Sequence, residues 1–268
     1  MAEKGLLSDG RQPFAFKEEP AEEVQRLRKL QDEDPIALQD AFNTSQALVE
    51  AVRADDLEEV RAVVNNAEEG EFLQAFVIQA FVIALKKTSL EMVRSLLGWG
   101  VPLQHPDLAQ AQHLVCEMTD KENFSNAWRI LQLLTSGGTP SGRLDINEPR
   151  LGDGWTPLCV ACAEACLPLA FKLLELQADP NVVTRNSETP MGIAKKKHEN
   201  DSEEQTEARG IIVNMLRHHG GADNWREAVS RSRHPRASRP AAPKTIQDED
   251  GGSMETQVLS KTHTRFSA

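Results

Sequence analysis

Asp153-Gly154-Trp155-Thr156-Pro157-Leu158-Cys159-Val160-Ala161-Cys162 reads as a turn that opens a short helix. The Thr156 hydroxyl suits a helix N-cap, and Pro157 suits the first helical position, where no amide donor is needed. Leu158, Val160 and Ala161 carry the helix on to a turn near Ala165 and Cys166. Pro168 then opens a second helix, whose apolar stripe is Leu169, Phe171, Leu173, Leu174 and Leu176. Ala178-Asp179-Pro180-Asn181 closes it and leads to another turn. A single hairpin of this kind cannot bury its apolar face, whereas stacked neighbours can.

The pattern recurs. Asn186-Ser187-Glu188-Thr189-Pro190-Met191 repeats the opening turn, with Thr189 33 residues beyond Thr156. Upstream, Leu57-Glu58-Glu59-Val60-Arg61 and Leu90-Glu91-Met92-Val93-Arg94 are also 33 apart. Two independent pairs with one spacing point to a repeat architecture.

Thr156-Pro157-Leu158-Cys159-Val160-Ala161-Cys162, then Leu173-Leu174 and Ala178-Asp179-Pro180-Asn181, resembles the ankyrin repeat. Thr189-Pro190-Met191-Gly192-Ile193-Ala194, then Ile211-Ile212-Val213 and Gly220-Gly221-Ala222-Asp223, resembles it too. The resemblance implies an all-α, ankyrin-type helix-pair solenoid of about five repeats over residues 44–225. It also implies protein recognition without catalysis. The family's motif histidine is replaced by Cys159 and Gly192, and its inter-helix glycine by Ala165. Glu199 to Arg209 is an insertion of about ten polar residues between the helices of the fifth unit, expected as a solvated loop. Three earlier units are looser. The first runs from about Ser45 to Asn66, and the second from about Phe72 to Leu103. The third comprises Leu108 to Met118 and Ala127 to Leu134. After a long loop from Gly137 to Gly154, Asp145-Ile146-Asn147 reproduces the end of a repeat.

The flanks differ from the repeats. Residues 1–16 are expected to be disordered, and residues 17–43 to form two capping helices. One of these begins at Pro20 and a short second one at Asp34-Pro35-Ile36. After Trp225 the periodicity stops, and residues 226–268 are expected to be a disordered tail, first basic and proline-broken, then acidic. Up to Trp225 the chain has 22 Lys+Arg against 36 Asp+Glu, and beyond it 8 against 5. The resulting net charge of −11 disfavours nonspecific adhesion to nucleic acid or anionic lipid. With neither a signal-peptide layout at Met1 to Arg11 nor an apolar run of bilayer length, the expectation is a cytoplasmic protein, a nuclear location being the alternative. Its cysteines are then expected to be reduced.

Chemistry-bearing clusters are few. Cys159, Cys162 and Cys166 share a helix face and invite a metal reading, but structural zinc wants four ligands and small buried thiols are common core residues. His218-His219 fall at a helix end, where a cation complements the dipole. There is no nucleophile elbow and no phosphate loop, so no catalytic residue, metal or cofactor is expected. The Arg-rich stretch from Arg231 to Arg239 offers weak nucleic-acid binding as a rival activity.

The partner-binding residues expected from position are Trp155, Asp153, Arg185, Asn186 and Glu188, which share the variable turns of two adjacent units. Tryptophan is costly to expose and enriched at binding hot spots. The competing expectation for Trp155 is packing onto the loop around Ile146 and Leu151. Trp99 and Trp128 are expected to be structural. The acidic body suggests a partner with a basic segment.

Overall fold

In the computed structural model, α1 (Pro20–Glu33) and α2 (Pro35–Ala54) form an N-terminal hairpin, and α3 (Leu57–Asn66) returns against α2. Three further helix pairs follow: α4 (Gln74–Lys86) with α5 (Leu90–Gly98), α6 (Ala111–Glu117) with α7 (Phe124–Ser136), and α8 (Pro157–Ala163) with α9 (Leu167–Glu175). A last pair, α10 (Pro190–Lys195) with α11 (Glu203–His218), precedes α12 (Trp225–Arg233). The structure describes residues 12–14, 16, 20–67, 71–120, 122–136, 142–196 and 201–233, and among them there is no strand. Nor is any helix of the described residues long and apolar enough to cross a membrane.

The packing has one direction. The first helices lie side by side in the order α2, α4, α6, α8, α10, and the second helices α5, α7, α9, α11 form a parallel layer. The core is the seam between these layers. Val52, Val60, Phe81, Leu85, Leu96, Leu131, Leu158, Leu173 and Leu216 all have zero exposure. With no tyrosine available, aliphatic side chains and alanines fill this seam, and Ala80, Ala84, Ala127, Ala161, Ala170 and Ala194 let helix backbones approach closely.

Helix ends are repeated as faithfully as helix faces. The first helices α2, α4 and α8 end at left-handed residues Asp55, Thr88 and Ala165. Each left-handed N–H donates to the carbonyl three residues back, and the next N–H to the carbonyl five back. Gly100, Gln177 and Gly220 close α5, α9 and α11 in the same way. This pair of bonds satisfies the carbonyls that a helix end otherwise leaves open. Four of the six positions carry side chains where glycine is easiest, so composition does not advertise them.

Several expectations are corrected. The short capping helix from Pro35 and the first helix of the first unit are one continuous helix, α2, because no residue between Ile36 and Ala54 breaks it. Phe14, expected in a disordered N-terminus, is fully buried. Its ring meets Phe72 and Trp99 edge-on at 5.0 and 6.0 Å, and its N–H donates to the Trp99 carbonyl. Residues 1–11 lie outside the described residues.

The insertion from Glu199 to Arg209 is mainly helix. Ser202 and Gln205 form a capping box that starts α11 two turns early. Arg209, read as part of a solvated loop, is buried. Its guanidinium pairs with Asp201 at 2.8 Å and donates to the Cys162 and Ala163 carbonyls at the end of α8, at 3.0 and 2.7 Å. The expected tail begins with helix α12, whose Ala228 is buried. Residues 234–268, including Pro235 to Arg239 of the basic stretch, lie outside the described residues.

Candidate functional site

Two turns, each preceding a first helix, meet at one edge of the molecule. In the turn before α8, Arg150 N–H donates to the Trp155 carbonyl and Gly154 N–H to the Arg150 carbonyl, at 2.7 and 2.9 Å. In the turn before α10, Thr184 N–H donates to the Glu188 carbonyl at 2.9 Å. Asp153, Gly154, Trp155 and Thr156 correspond to Asn186, Ser187, Glu188 and Thr189, and both third-from-last positions are left-handed, Gly154 at φ 74° and Ser187 at φ 59°. The turns are joined directly, with Arg185 N–H donating to the Asp153 carbonyl at 2.9 Å. Arg185 Nη1 reaches the Gly152 carbonyl at 3.3 Å. Glycine is favoured at 154, where φ is 74° and a Cβ would lie 3.2 Å from both Arg185 N and Arg185 Cγ.

Charge organises the ridge. Arg150 clamps Asp153 with two hydrogen bonds of 3.1 and 2.5 Å and pairs with Glu117 at the end of α6. The Arg150 hydrogen bonds hold the Asp153 carboxyl down at about 2, and the same bonds raise the Arg150 pKa. Asp153 also accepts from Trp155 N–H at 3.0 Å. Trp155 is half-buried and packs against the core, with Arg150 5.6 Å above its ring and its Nε1 buried without a hydrogen-bond partner. The tryptophan therefore folds beneath Arg150. Leu151, which the competing expectation placed with Ile146 beside Trp155, is 75% exposed. Arg185 and Asn186 are exposed, and Glu188 pairs with Lys196. The five residues expected to act together thus share one ridge. Arg150, Glu117 and Leu151 belong to it as well.

Thr156 was expected to cap α8 through its hydroxyl, but that hydroxyl donates to Cys159 Sγ at 3.5 Å, and no side chain caps the helix. Thr189 does cap α10, accepting from Gly192 N–H at 3.1 Å and donating to the Ala222 carbonyl at 3.0 Å. His113 stands third in α6, as Cys159 stands third in α8. It is buried, and Nε2 lies 2.7 Å from the Glu148 carbonyl, a link from one unit to the next turn. Burial lowers its pKa, so the ring is neutral and Nε2 donates. Cys116 is sixth in α6 and Cys162 sixth in α8, so both fill the same core slot. Burial raises the pKa of all four thiols. Among the described residues no group of three or more His, Cys, Asp or Glu converges as metal ligands.

Asparagines link successive units. Asn147 Oδ1 accepts from Asp179 N–H at 2.7 Å, and Asn181 Oδ1 from Ala222 N–H at 2.9 Å, so each repeat end is held by the one before it.

Residues 153–185, from the first turn of the ridge to the second, match the family model of the ankyrin repeat. The chain contains an ankyrin repeat there. No curated protein matches the chain. The ankyrin repeat is in general a protein–protein interaction module and typically not an enzyme. Its match covers α8, α9 and three of the five ridge residues, Asp153, Trp155 and Arg185, with Asn186 and Glu188 just beyond it.

His113, Glu117 and Arg150 are among the ridge-side residues that the sequence did not point to. An ankyrin register laid over the third unit would have placed His113 at the motif histidine. Arg150 sits in an insertion with no motif to number it.

Proposed function

We propose that the chain is a five-unit ankyrin-type solenoid that holds a protein partner along the ridge and the first-helix face, as an adaptor or complex subunit. The observation that carries this reading is the direct lock between the two turns. Arg185 N–H on the Asp153 carbonyl, and Arg150 on Asp153 and Glu117, fix neighbouring units into one preorganised surface. A preordered surface loses less entropy on association. Trp155 supplies a rigid aromatic wall, and a cleft of about 290 Å³ lined by Val82, Lys86, Leu108, His113, Glu117 and Arg150 runs along α4 and α6 to the ridge. The acidic body supports a partner with a basic segment, attracted at long range. A cytoplasmic location, and a role that involves no catalysis, belong to the same reading.

Affinity capture with the wild-type chain beside Trp155→Ala and Asn186→Lys tests it. Trp155 also packs against the core, so the exposed Asn186 supplies the second readout. A partner recovered by the wild type and lost by both variants, with unchanged melting of Asn186→Lys, is the expected result. Equal recovery by all three removes the ridge from the interface. Binding that does not weaken with salt removes the basic segment.

A further inference from the structure

The net charge of the chain is negative, but the tip of the ridge is not. Glu117 and Asp153 are both engaged by Arg150, and Glu188 by Lys196. Arg185 is exposed and forms no ion pair among the described residues; its one side-chain bond is to a neutral carbonyl, at Gly152. That bond uses Nη1, and the backbone is pinned by the 2.9 Å bond to Asp153. The side-chain stem lies against the bare Cα of Gly154. Most of the guanidinium's donors are therefore left over on a group already held in place. Beside Gly152 stands Leu151, 75% exposed.

We infer that the ridge tip recognises a protein segment carrying a carboxylate next to an aliphatic side chain, the carboxylate on Arg185 and the aliphatic group on Leu151. A guanidinium takes a carboxylate in a paired, directional fashion that an ammonium does not reproduce. Prepaid ordering of Arg185 lowers the entropic cost of that contact. The inference rests on the ridge being the interface and adds the chemistry read at its tip. It is compatible with attraction of a basic segment, because the tip contact acts at hydrogen-bond range on Arg185 while the acidic body acts on other parts of the partner, over a screening length of roughly 10 Å.

Selection of a random peptide library displayed on phage against the full-length chain provides the test. Enriched peptides are expected to share an Asp or Glu adjacent to Leu, Ile or Val. Their affinity is expected to fall at least tenfold on Arg185→Gln and severalfold on Leu151→Ser, both exposed positions whose variants melt with the wild type. Selection on Arg185→Glu is expected to exchange the acid for Lys or Arg at the same peptide position. Enriched peptides without an acid, peptides indifferent to Arg185→Gln, or failure to enrich any peptide each overturn the inference. Basic peptides that ignore Arg185 but are lost on Asn186→Lys would overturn it while leaving the ridge interface intact. Peptides indifferent to every ridge variant would sink both.

Discussion

Asp153 shows how one side chain can serve both the fold and the surface. Its carboxylate is clamped by Arg150 and caps Trp155 N–H, so the folded state favours the charged form and its pKa sits at about 2. The ordinary aspartate value is about 3.9. A lowered folded pKa contributes stability that is complete above the ordinary value and lost as pH falls from about 4 to about 2. The group is about 30% exposed, so solvent screens the pair and the contribution is under about 1 kcal/mol. Asp153→Asn is therefore expected to flatten the acid side of the stability curve between about pH 4 and pH 2, measured as the urea midpoint at each pH. An unchanged slope would mean that the Arg150 clamp adds nothing to folding. Arg209 lies at the other extreme. Its pairing with Asp201 is buried, at 7 and 9% exposure, and the same guanidinium serves two carbonyls of α8. Arg209→Met removes a buried guanidinium from Asp201 and from two α8 carbonyls, a loss of about 3 kcal/mol. Arg209→Met with Asp201→Asn is expected to recover part of it in chemical denaturation. If single and double variants lose equally, the carbonyl contacts matter and the ion pair does not.

Elements are delimited here by geometry that sequence hides. The first helices α2, α4 and α8 stop at a left-handed residue, and in α4 that residue is Thr88, at φ 49°. A β-branched side chain is strained there by about 1–2 kcal/mol, whereas glycine sacrifices about 0.5–1 kcal/mol of chain entropy on folding. Thr88→Gly is expected to stabilise the chain by about 0.5–1 kcal/mol, seen as a melting temperature a few degrees higher. A lower melting temperature would show that the Thr88 methyl and hydroxyl outweigh the strain. The same concealment explains which parts of the fold were legible. The apolar faces of α8, α9 and α10 follow from Leu158, Leu173 and Met191 at helical spacing, and the 33-residue step from Thr156 to Thr189 aligns them. The extra turns of α11 were not legible, because Glu203, Glu204 and Glu207 are as polar as a loop; the capping box at Ser202 and Gln205 and the buried Arg209 decide the matter. The candidate site was half legible. Asp153, Trp155, Arg185, Asn186 and Glu188 share the ridge because the repeat puts them there. Arg150 and Leu151 come from an insertion whose conformation depends on a contact with Glu117, in the preceding unit.

At the scale of the whole molecule, each helix pair touches the pairs beside it, so stability is conveyed along the row in steps. Phe14 interrupts that simplicity. It approaches from before α1 and inserts between Phe72 and Trp99, which belong to the second helix pair, so the N-terminal arm reaches past α2 and α3 to the pair beyond them. Removing the ring is expected to cost about 3–5 kcal/mol, because Phe14 is completely buried and its neighbours Phe72 and Trp99, also buried, are anchored at the ends of α4 and α5, which limits collapse into the space. The loss should be local. In Phe14→Ala, amide hydrogen exchange is expected to accelerate in α2, α4 and α5, while α10 and α11, separated from the cavity by two intervening pairs, keep wild-type protection. If protection falls equally in α4 and α11, the chain unfolds as one cooperative unit and the row of pairwise contacts does not describe its energetics. If it falls in neither, Phe14 is a passenger on a surface that the other aromatic side chains already close. The expected gradient would make the N-terminal arm the clasp of the first two helix pairs, and would leave the ridge between α8 and α10 with a stability of its own.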